Sequence, residues 1–206
     1  MNIQSNIIGR NRPLPSLILV HGLKESGKST LADHYCDELG YKRVKLAGPL
    51  KNMVRSLLRD GGVDPDIIED YIEGDLKEIP IPQMSNRSAR HLMQTLGDDW
   101  RRMQALDFWI DITIGKLTEH FASDDRVIID DIRYPNELSR LSEYNPLTFV
   151  VTRGKKHFEP VEEGTPLSEV PMAIDKFDFH IANDYSKKID LWNYSETCID
   201  KWASAF

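Results

Sequence analysis

One short segment constrains the fold of this chain more than any other. It consists of Gly22, four further residues, Gly27, Lys28 and Ser29. This spacing matches the phosphate-binding loop, whose glycines let consecutive backbone N–H groups face an anion. An apolar run, residues 17–20, comes directly before it, and a helix is predicted directly after it, which is the context the motif requires. We therefore expect the chain to bind a nucleotide polyphosphate here.

The residue types in this loop suggest individual roles. Lys28 can reach the β- and γ-phosphates, and the hydroxyl of Ser29 is suited to bind Mg²⁺. The N-terminal end of the following helix adds a positive partial charge. The residues expected at the nucleotide are Gly22, Lys24, Glu25, Ser26, Gly27, Lys28, Ser29 and Thr30.

The rest of the chain alternates apolar runs with amphipathic stretches. Besides 17–20, strands are predicted at 44–47, 127–130, 147–152 and 179–182. Helices are predicted at 28–39, from Pro49 to Gly61, and at 88–102, 108–121, 135–144 and 187–202. This alternation predicts an α/β doubly wound fold, which binds ligands at the carboxyl ends of its strands.

Composition limits the organisation and the partners of the protein. A length of 206 residues suits one domain with an inserted lid, so we expect a flexible lead-in over 1–16, one domain over 17–206, and a surface excursion over about 59–87. The net charge of −7 disfavours extended nucleic acid as a partner. Two cysteines cannot form a disulfide framework, and no apolar run reaches membrane-spanning length, so we expect a cytoplasmic protein that does not bind a membrane.

Two acids end the predicted strand at 127–130. Nucleotide chemistry at such a loop needs a carboxylate near the metal, and Asp130 and Asp131 are the candidates. Side chains alternate along a strand, so only one of the two should face Ser29. Arg133 follows at the strand end, where a guanidinium is suited to hold a phosphate.

Together these segments give the chain a family resemblance that covers nearly all of it from Leu17 onward. It resembles the deoxynucleoside monophosphate kinases of tailed phages, a branch of the phosphate-loop nucleoside monophosphate kinases. The blocks that carry the resemblance are Ser26-Gly27-Lys28-Ser29-Thr30-Leu31-Ala32-Asp33, Leu46-Ala47-Gly48-Pro49-Leu50-Lys51, Ser88-Ala89-Arg90-His91-Leu92-Met93-Gln94-Thr95-Leu96-Gly97, Asp131-Ile132-Arg133 with Glu137, and Ile181-Ala182-Asn183-Asp184.

The resemblance implies a three-layer α/β/α fold, with a five-stranded parallel sheet in the order 2-3-1-4-5. It also implies an ATP site and a site for a nucleoside monophosphate. By its position, Asp131 is preferred to Asp130 for the metal or the acceptor phosphate. Arg133 resembles an acceptor-phosphate clamp, Arg90 and Lys51 could contact the same phosphate, and Gln94 could read the base.

A lid is implied over about residues 153–170. Arg153 opens this segment and is the one lid residue carried over as catalytic, beside Lys28, Asp131 and Arg133. Asn183 is similar to the asparagine that lies near the base of ATP in that family.

The expected reaction is ATP + dNMP giving ADP + dNDP with Mg²⁺, and no general base is needed because the acceptor is already an anion. The preference for deoxyribonucleotides follows from the resemblance alone. Partners would then be small-molecule nucleotides in a bacterial host cell, and a homodimer is left open. The alternatives are another small-molecule kinase of this fold, such as one resembling dephospho-coenzyme A kinase, and a nucleotide-binding switch without an acceptor.

Overall fold

The computed structural model describes residues 12–165, 167–184 and 187–205. The chain divides into two compact units, one of Met1–Arg43 with His120–Phe206 and one of Val44–Glu119. The second unit is therefore inserted into the sequence of the first, whereas a single domain over 17–206 was expected. No helix within the described ranges is long and apolar enough to cross a membrane.

The structure places the regular elements close to the predicted positions. The strands are β1 (Leu17–His21), β2 (Lys42–Val44), β3 (Pro80–Ile81), β4 (Arg87–Ser88), β5 (Val127–Ile132), β6 (Leu147–Thr152) and β7 (Phe179–Ala182). The α-helices are α1 (Lys28–Leu39), α2 (Gly48–Asp60), α3 (Pro65–Ile72), α4 (Ala89–Thr95), α5 (Arg101–Gln104), α6 (Phe108–Ala122), α7 (Pro135–Leu141) and α8 (Lys188–Ala203).

Five of these strands form one sheet in the order β2-β5-β1-β6-β7. Strand β1 is parallel to both β5 and β6, and β6 is parallel to β7. Counted in chain order, this is the predicted order 2-3-1-4-5, so the phosphate-loop kinase fold is confirmed. The register between β1 and β5 shifts by one residue after the pair Leu19 and Ile129, next to the two acids of β5. Such bulges re-aim side chains next to active sites.

The core of the first unit follows from the apolar runs of its strands. Every residue of β1 is buried, and the core cluster joins strand residues to α1 and α8. Helix α1 ends where Gly40 adopts φ 72° and its N–H donates to Tyr35 O. This packing fixes the strand end from which the phosphate loop leaves.

Two segments differ from the prediction in their packing. The segment 59–87 is not a surface excursion, because it buries Val63, Ile68, Ile72 and Ile81 in the core of the second unit. Of the predicted lead-in, residues 1–11 lie outside the described residues. Residues 12–16 are held in place, since Arg12 pairs with Glu196 and Asp200 of α8. The expected flexibility is therefore wrong for 12–16.

Two smaller differences concern element boundaries. Strand β2 lies two residues earlier than predicted, because Pro49 sets the start of α2 and the residues before it form a turn, with Gly48 N bonded to Lys45 O at 3.1 Å. The helix predicted at 88–102 is interrupted by a π-helical turn over Leu96–Trp100. Its first turn is capped, since Ser88 Oγ accepts a bond from His91 N.

Candidate active site

The loop between β1 and α1 has the backbone shape that an anion cradle requires. Glu25 and Gly27 have φ values of 65° and 106°, so the chain reverses there and exposes its N–H groups. A Cβ on Gly22 would collide with Val151 O of the neighbouring strand, and one on Gly27 would collide with Asn183 Nδ2. Both positions therefore require glycine.

Two polar groups of the loop fit a polyphosphate. Lys28 Nζ donates to Leu23 O at 2.6 Å, which folds the ammonium back over the loop. Ser26 is 2% exposed, and its Oγ has no hydrogen-bond partner among the described residues. A buried hydroxyl of this kind is stabilised by a phosphate oxygen, so the residues present fit the expected nucleotide.

Asp130 is the acid that the structure places beside the loop. Its Oδ2 accepts a hydrogen bond from Ser29 Oγ at 3.3 Å, and the residue is 2% exposed, whereas Asp131 is half-buried. The preference for Asp131 at this position is therefore corrected: at the bulged end of β5, Asp130 faces Ser29.

The same pair fits a magnesium ion. Within the described ranges, no group of three or more His, Cys, Asp or Glu side chains is placed to hold a metal. A hydroxyl and one carboxylate leave most of the octahedral shell of Mg²⁺ to waters and phosphate oxygens, which is how this ion is usually held with nucleotides.

Arg43, the middle residue of β2, holds Asp130 in place, and no pattern in the sequence indicated it. Its Nε donates to Asp130 Oδ1 at 3.0 Å, its Nη2 pairs with Asp130 Oδ2, and its Nη1 donates to Asp33 Oδ1 at 2.5 Å. Burial alone would lower the pKa of Arg43, but the hydrogen bond and charge of Asp130 raise it. The buried carboxylate is thus fixed by a two-pronged contact with a guanidinium.

The turn after β5 is fixed by a buried acid. Glu137 Oε2 accepts hydrogen bonds from the backbone N–H groups of Arg133, at 2.7 Å, and Tyr134, at 3.0 Å. Glu137 is 6% exposed, while the Arg133 side chain reaches solvent. A rigid turn that presents an exposed arginine is suited to bind an anionic ligand.

Asn183 acts on the loop itself. The residue is 7% exposed, and its Nδ2 donates to Ser26 O at 2.8 Å. This contact ties the end of β7 to the phosphate loop. The place near the base of ATP stays a prediction for Asn183, and the sequence did not indicate its bond to Ser26.

The segment that follows β6 begins beside the loop. Arg153 is exposed, and with Thr152 and His157 it lines a small cavity whose other wall is formed by loop residues. Those loop residues are Leu23, Lys24 and Ser26. The predicted lid, residues 153–170, contains two short 3-10 turns, Lys156–Phe158 and Leu167–Glu169, and Pro166 lies outside the described residues.

His21 is a second residue whose position the sequence did not indicate. It is the last residue of β1, directly before Gly22, and it is 3% exposed. Burial lowers its pKa to about 4; the hydrogen bond to Ile132 opposes this shift, and the positive charges of Lys28 and Arg133 add to it. The imidazole is therefore neutral at physiological pH.

The other predicted acceptor residues, Lys51, Arg90 and Gln94, belong to the second unit. There Lys51 Nζ contacts both carboxylate oxygens of Glu73, at 2.7 and 2.8 Å, and Arg90 Nε donates to Glu78 Oε1 at 2.8 Å. Gln94 is exposed on α4. Both cations are thus matched with acids of their own unit, a pairing that the sequence did not reveal.

Two of the comparisons with known proteins give the same family name. A family model described as deoxynucleotide monophosphate kinase matches residues 57–189. A protein of Acanthamoeba polyphaga mimivirus, described as a candidate deoxynucleotide monophosphate kinase, is 24% identical over 197 residues, covering 89% of this chain and 96% of its own. Among solved structures, a gluconokinase from Sinorhizobium meliloti 1021 is 17% identical, with a TM-score of 0.45 over 94% of this chain and 97% of its own.

Proposed function

Because this chain belongs to the deoxynucleotide monophosphate kinase family and is therefore a phosphotransferase, we propose that it transfers the γ-phosphoryl group of ATP to a deoxynucleoside monophosphate. The products are ADP and the deoxynucleoside diphosphate. The observation that carries the proposal is the contact of Ser29 in the loop with Asp130 at the end of β5. It joins a polyphosphate cradle to a metal-binding carboxylate, which is the arrangement that phosphoryl transfer from ATP requires.

On the donor side, each group has a separate task. The loop N–H groups and Lys28 bind the β- and γ-phosphates, and Ser29 with Asp130 would hold Mg²⁺. When bound, that ion neutralises charge on the phosphates. Arg43 keeps the Asp130 carboxylate turned toward Ser29, and Asn183 keeps the loop in shape. Arg153, on the wall of the same cavity, adds positive charge near the group being transferred.

On the acceptor side, arginines bind the phosphate that attacks. Arg133 is exposed on a turn that Glu137 already fixes. Binding of a phosphate to Arg133 therefore does not have to offset the loss of backbone entropy in that turn. We assign it the acceptor phosphate, together with Arg90 and Lys51. Gln94, exposed on α4, is assigned a base edge. No proton needs to be removed, because the attacking oxygen already carries charge.

The pairing of Lys51 and Arg90 with acids shapes how a substrate would bind. An incoming phosphate must replace Glu73 at Lys51 and Glu78 at Arg90. Exposed pairs of this kind contribute ~0–1 kcal/mol, so a doubly charged phosphate can displace them. A neutral or singly charged acceptor would gain less from the exchange, which favours phosphate monoesters over sugars.

The test is an acceptor panel with ATP and Mg²⁺. All common ribo- and deoxyribonucleoside monophosphates are supplied singly, with gluconate and dephospho-coenzyme A as other acceptors, and both ADP and the phosphorylated acceptor are measured. We expect deoxyribonucleoside monophosphates to be phosphorylated fastest. Exclusive phosphorylation of dephospho-coenzyme A or gluconate would refute the substrate class, and ADP release that no acceptor accelerates would indicate a nucleotide switch instead.

A further inference from the structure

The imidazole of His21 makes two hydrogen bonds in opposite directions. Its Nδ1 lies 2.9 Å from Ile132 O, and its Nε2 lies 3.1 Å from Met172 N. A carbonyl oxygen can only accept and a backbone N–H can only donate. The ring proton therefore sits on Nδ1, and Nε2 accepts from Met172.

These bonds connect three functional segments. His21 directly precedes the phosphate loop, Ile132 directly precedes Arg133, and Met172 lies where the chain returns from the lid toward β7. Histidine is one of the few side chains that can donate and accept at two sites in this geometry, because its two nitrogens lie on opposite sides of one rigid ring.

Aromatic contacts complete the junction. His21 stacks on Phe177 with ring centroids 5.4 Å apart, and the ring of His157 meets it edge-on at 6.3 Å. We call His21, His157, Met172 and Phe177 the lid base. All four are less than 10% exposed.

The tip of the lid is packed quite differently. Phe158, Val161 and Leu167 are 61%, 49% and 57% exposed. The segment is therefore anchored at His157 and Met172, and Phe158, Val161 and Leu167 between them are open to solvent. His157 belongs both to the lid base and to the wall of the cavity beside the phosphate loop.

We propose that His21 is a positioning residue that sets the lid against the phosphate loop through its bond from Met172. A nucleotide in the loop fixes Gly22 and His21, and His21 in turn fixes Met172. The lid is thereby held over the site, where it excludes water from the transferring phosphoryl group. The hydrogen bond from Met172 to His21 does not depend on which substrate the protein uses. The exclusion of water by the lid rests on the proposed function.

Two substitutions of His21 test the hydrogen bonds of its two ring nitrogens separately. In His21→Gln the amide oxygen can reach the place of Nε2 and accept from Met172, while the bond to Ile132 is lost. In His21→Asn the shorter amide can replace Nδ1 and donate to Ile132, while Met172 loses its acceptor. Each variant thus keeps one bond of the pair.

The first measurement is amide hydrogen exchange at Met172, with and without a non-hydrolysable ATP analogue. In His21→Asn we expect exchange at Met172 to be ~10-fold faster and insensitive to the analogue, since one net hydrogen bond is worth about a factor of ten. In His21→Gln and in the unaltered protein, the analogue should slow it. The amides of Ile18 and Leu19, buried in β1, report any change in global stability, and the change at Met172 is taken relative to them.

The control is His180→Asn, which alters another histidine of this region. His180 Nε2 bonds Thr152 Oγ1 at 2.9 Å, a hydrogen bond that does not involve Met172, so exchange at Met172 should be unchanged. Equal exchange at Met172 in His21→Gln and His21→Asn would overturn the proposal.

The second measurement is the share of ATP turnover that is hydrolysis rather than transfer to an acceptor. His21→Asn should raise this share several-fold over His21→Gln, because water enters a poorly held lid. If exchange at Met172 is faster in His21→Asn but the hydrolysed share of ATP turnover is unchanged, His21 has only a structural role and the positioning role is refuted. If no acceptor is phosphorylated by the unaltered protein, the proposed function fails, and the effect of the analogue on Met172 still decides for or against the proposal.

Discussion

Replacing Asp130 by asparagine should damage the protein in two measurable ways. The Asp130 side chain is 1% exposed and meets two nitrogens of Arg43, so Asp130→Asn removes the negative charge from a buried pair. Hydrogen bonds to charged groups contribute ~1.5–3 kcal/mol, and breaking a buried pair costs ~3–5 kcal/mol. Arg43 keeps Asp33 and is itself 23% exposed, so we place the loss of unfolding free energy at the low end, about 2 kcal/mol.

The matched control is Asp131→Asn, one residue along the same strand. Asp131 is half-buried and is not the acid that meets Ser29, so we expect a loss below ~1 kcal/mol. In a chain of this length the difference corresponds to a Tm lower by several degrees for Asp130→Asn. Urea denaturation without nucleotide measures it directly.

Catalysis should separate the two variants further. Under the proposed function, Asp130→Asn removes the carboxylate that would hold Mg²⁺, and we expect kcat to fall ~10²–10³-fold with a higher Mg²⁺ requirement. The Mg²⁺ dependence of ATP-analogue binding, measured by calorimetry, shows the same change without turnover. The reasoning is refuted if Asp131→Asn is the more damaged variant, or if Asp130→Asn binds the analogue with unaltered Mg²⁺ dependence.

Further predictions concern the loop, the acceptor and pH. Lys28→Ala should lower kcat ~10³-fold with little change in Tm, because the side chain is not part of the core; near-normal turnover would remove it from the site. Gly27→Ala should weaken binding of the ATP analogue, because residue 27 has φ 106° and the added Cβ would collide with Asn183 Nδ2; unchanged binding, measured by calorimetry, would refute this. Arg133→Ala should raise the KM for the monophosphate far more than that for ATP, with poor rescue by lysine, whereas a raised KM for ATP alone would place Arg133 on the donor side. The pKa of His21 is lowered to about 4 in the folded protein, so between pH 6.5 and 4 the unfolded chain binds a proton that the folded protein does not. The free energy of unfolding, measured by urea denaturation, should therefore fall by up to ~3 kcal/mol as the pH drops through this range. In His21→Gln the free energy of unfolding should depend less on pH.

The sheet could be predicted from the sequence because its strands are apolar on both faces. Runs such as Leu147–Thr152 and Phe179–Ala182 stand between turn residues, and the structure gives the predicted bounds. The inserted unit was harder to predict. Ile68 and Ile72 lie in a stretch interrupted by prolines and acids, so local pattern indicated a surface segment, and their burial depends on contacts with the distant Val54.

The sequence predicted those site residues that belong to one contiguous motif. It did not predict contacts between residues that are far apart in sequence. Lys28 and Ser29 were found by spacing alone. The choice between Asp130 and Asp131 depends on a bulge in β5, which strict alternation cannot show. Arg43 meets Asp130 across two neighbouring strands, and no motif marks such a pair.

The inserted unit has a consequence for how the chain folds. Strand β2 must pair with β5, and residues 45–126 stand between these two partners in sequence. Closing a flexible loop of that length costs about 4 kcal/mol of chain entropy. If the segment folds first around its own core of Val54, Ile68 and Ile72, the loop to be closed becomes a short, ordered bridge. The order of events during synthesis is then fixed: the phosphate loop emerges first, but its sheet can form only after the inserted unit and β5 have followed.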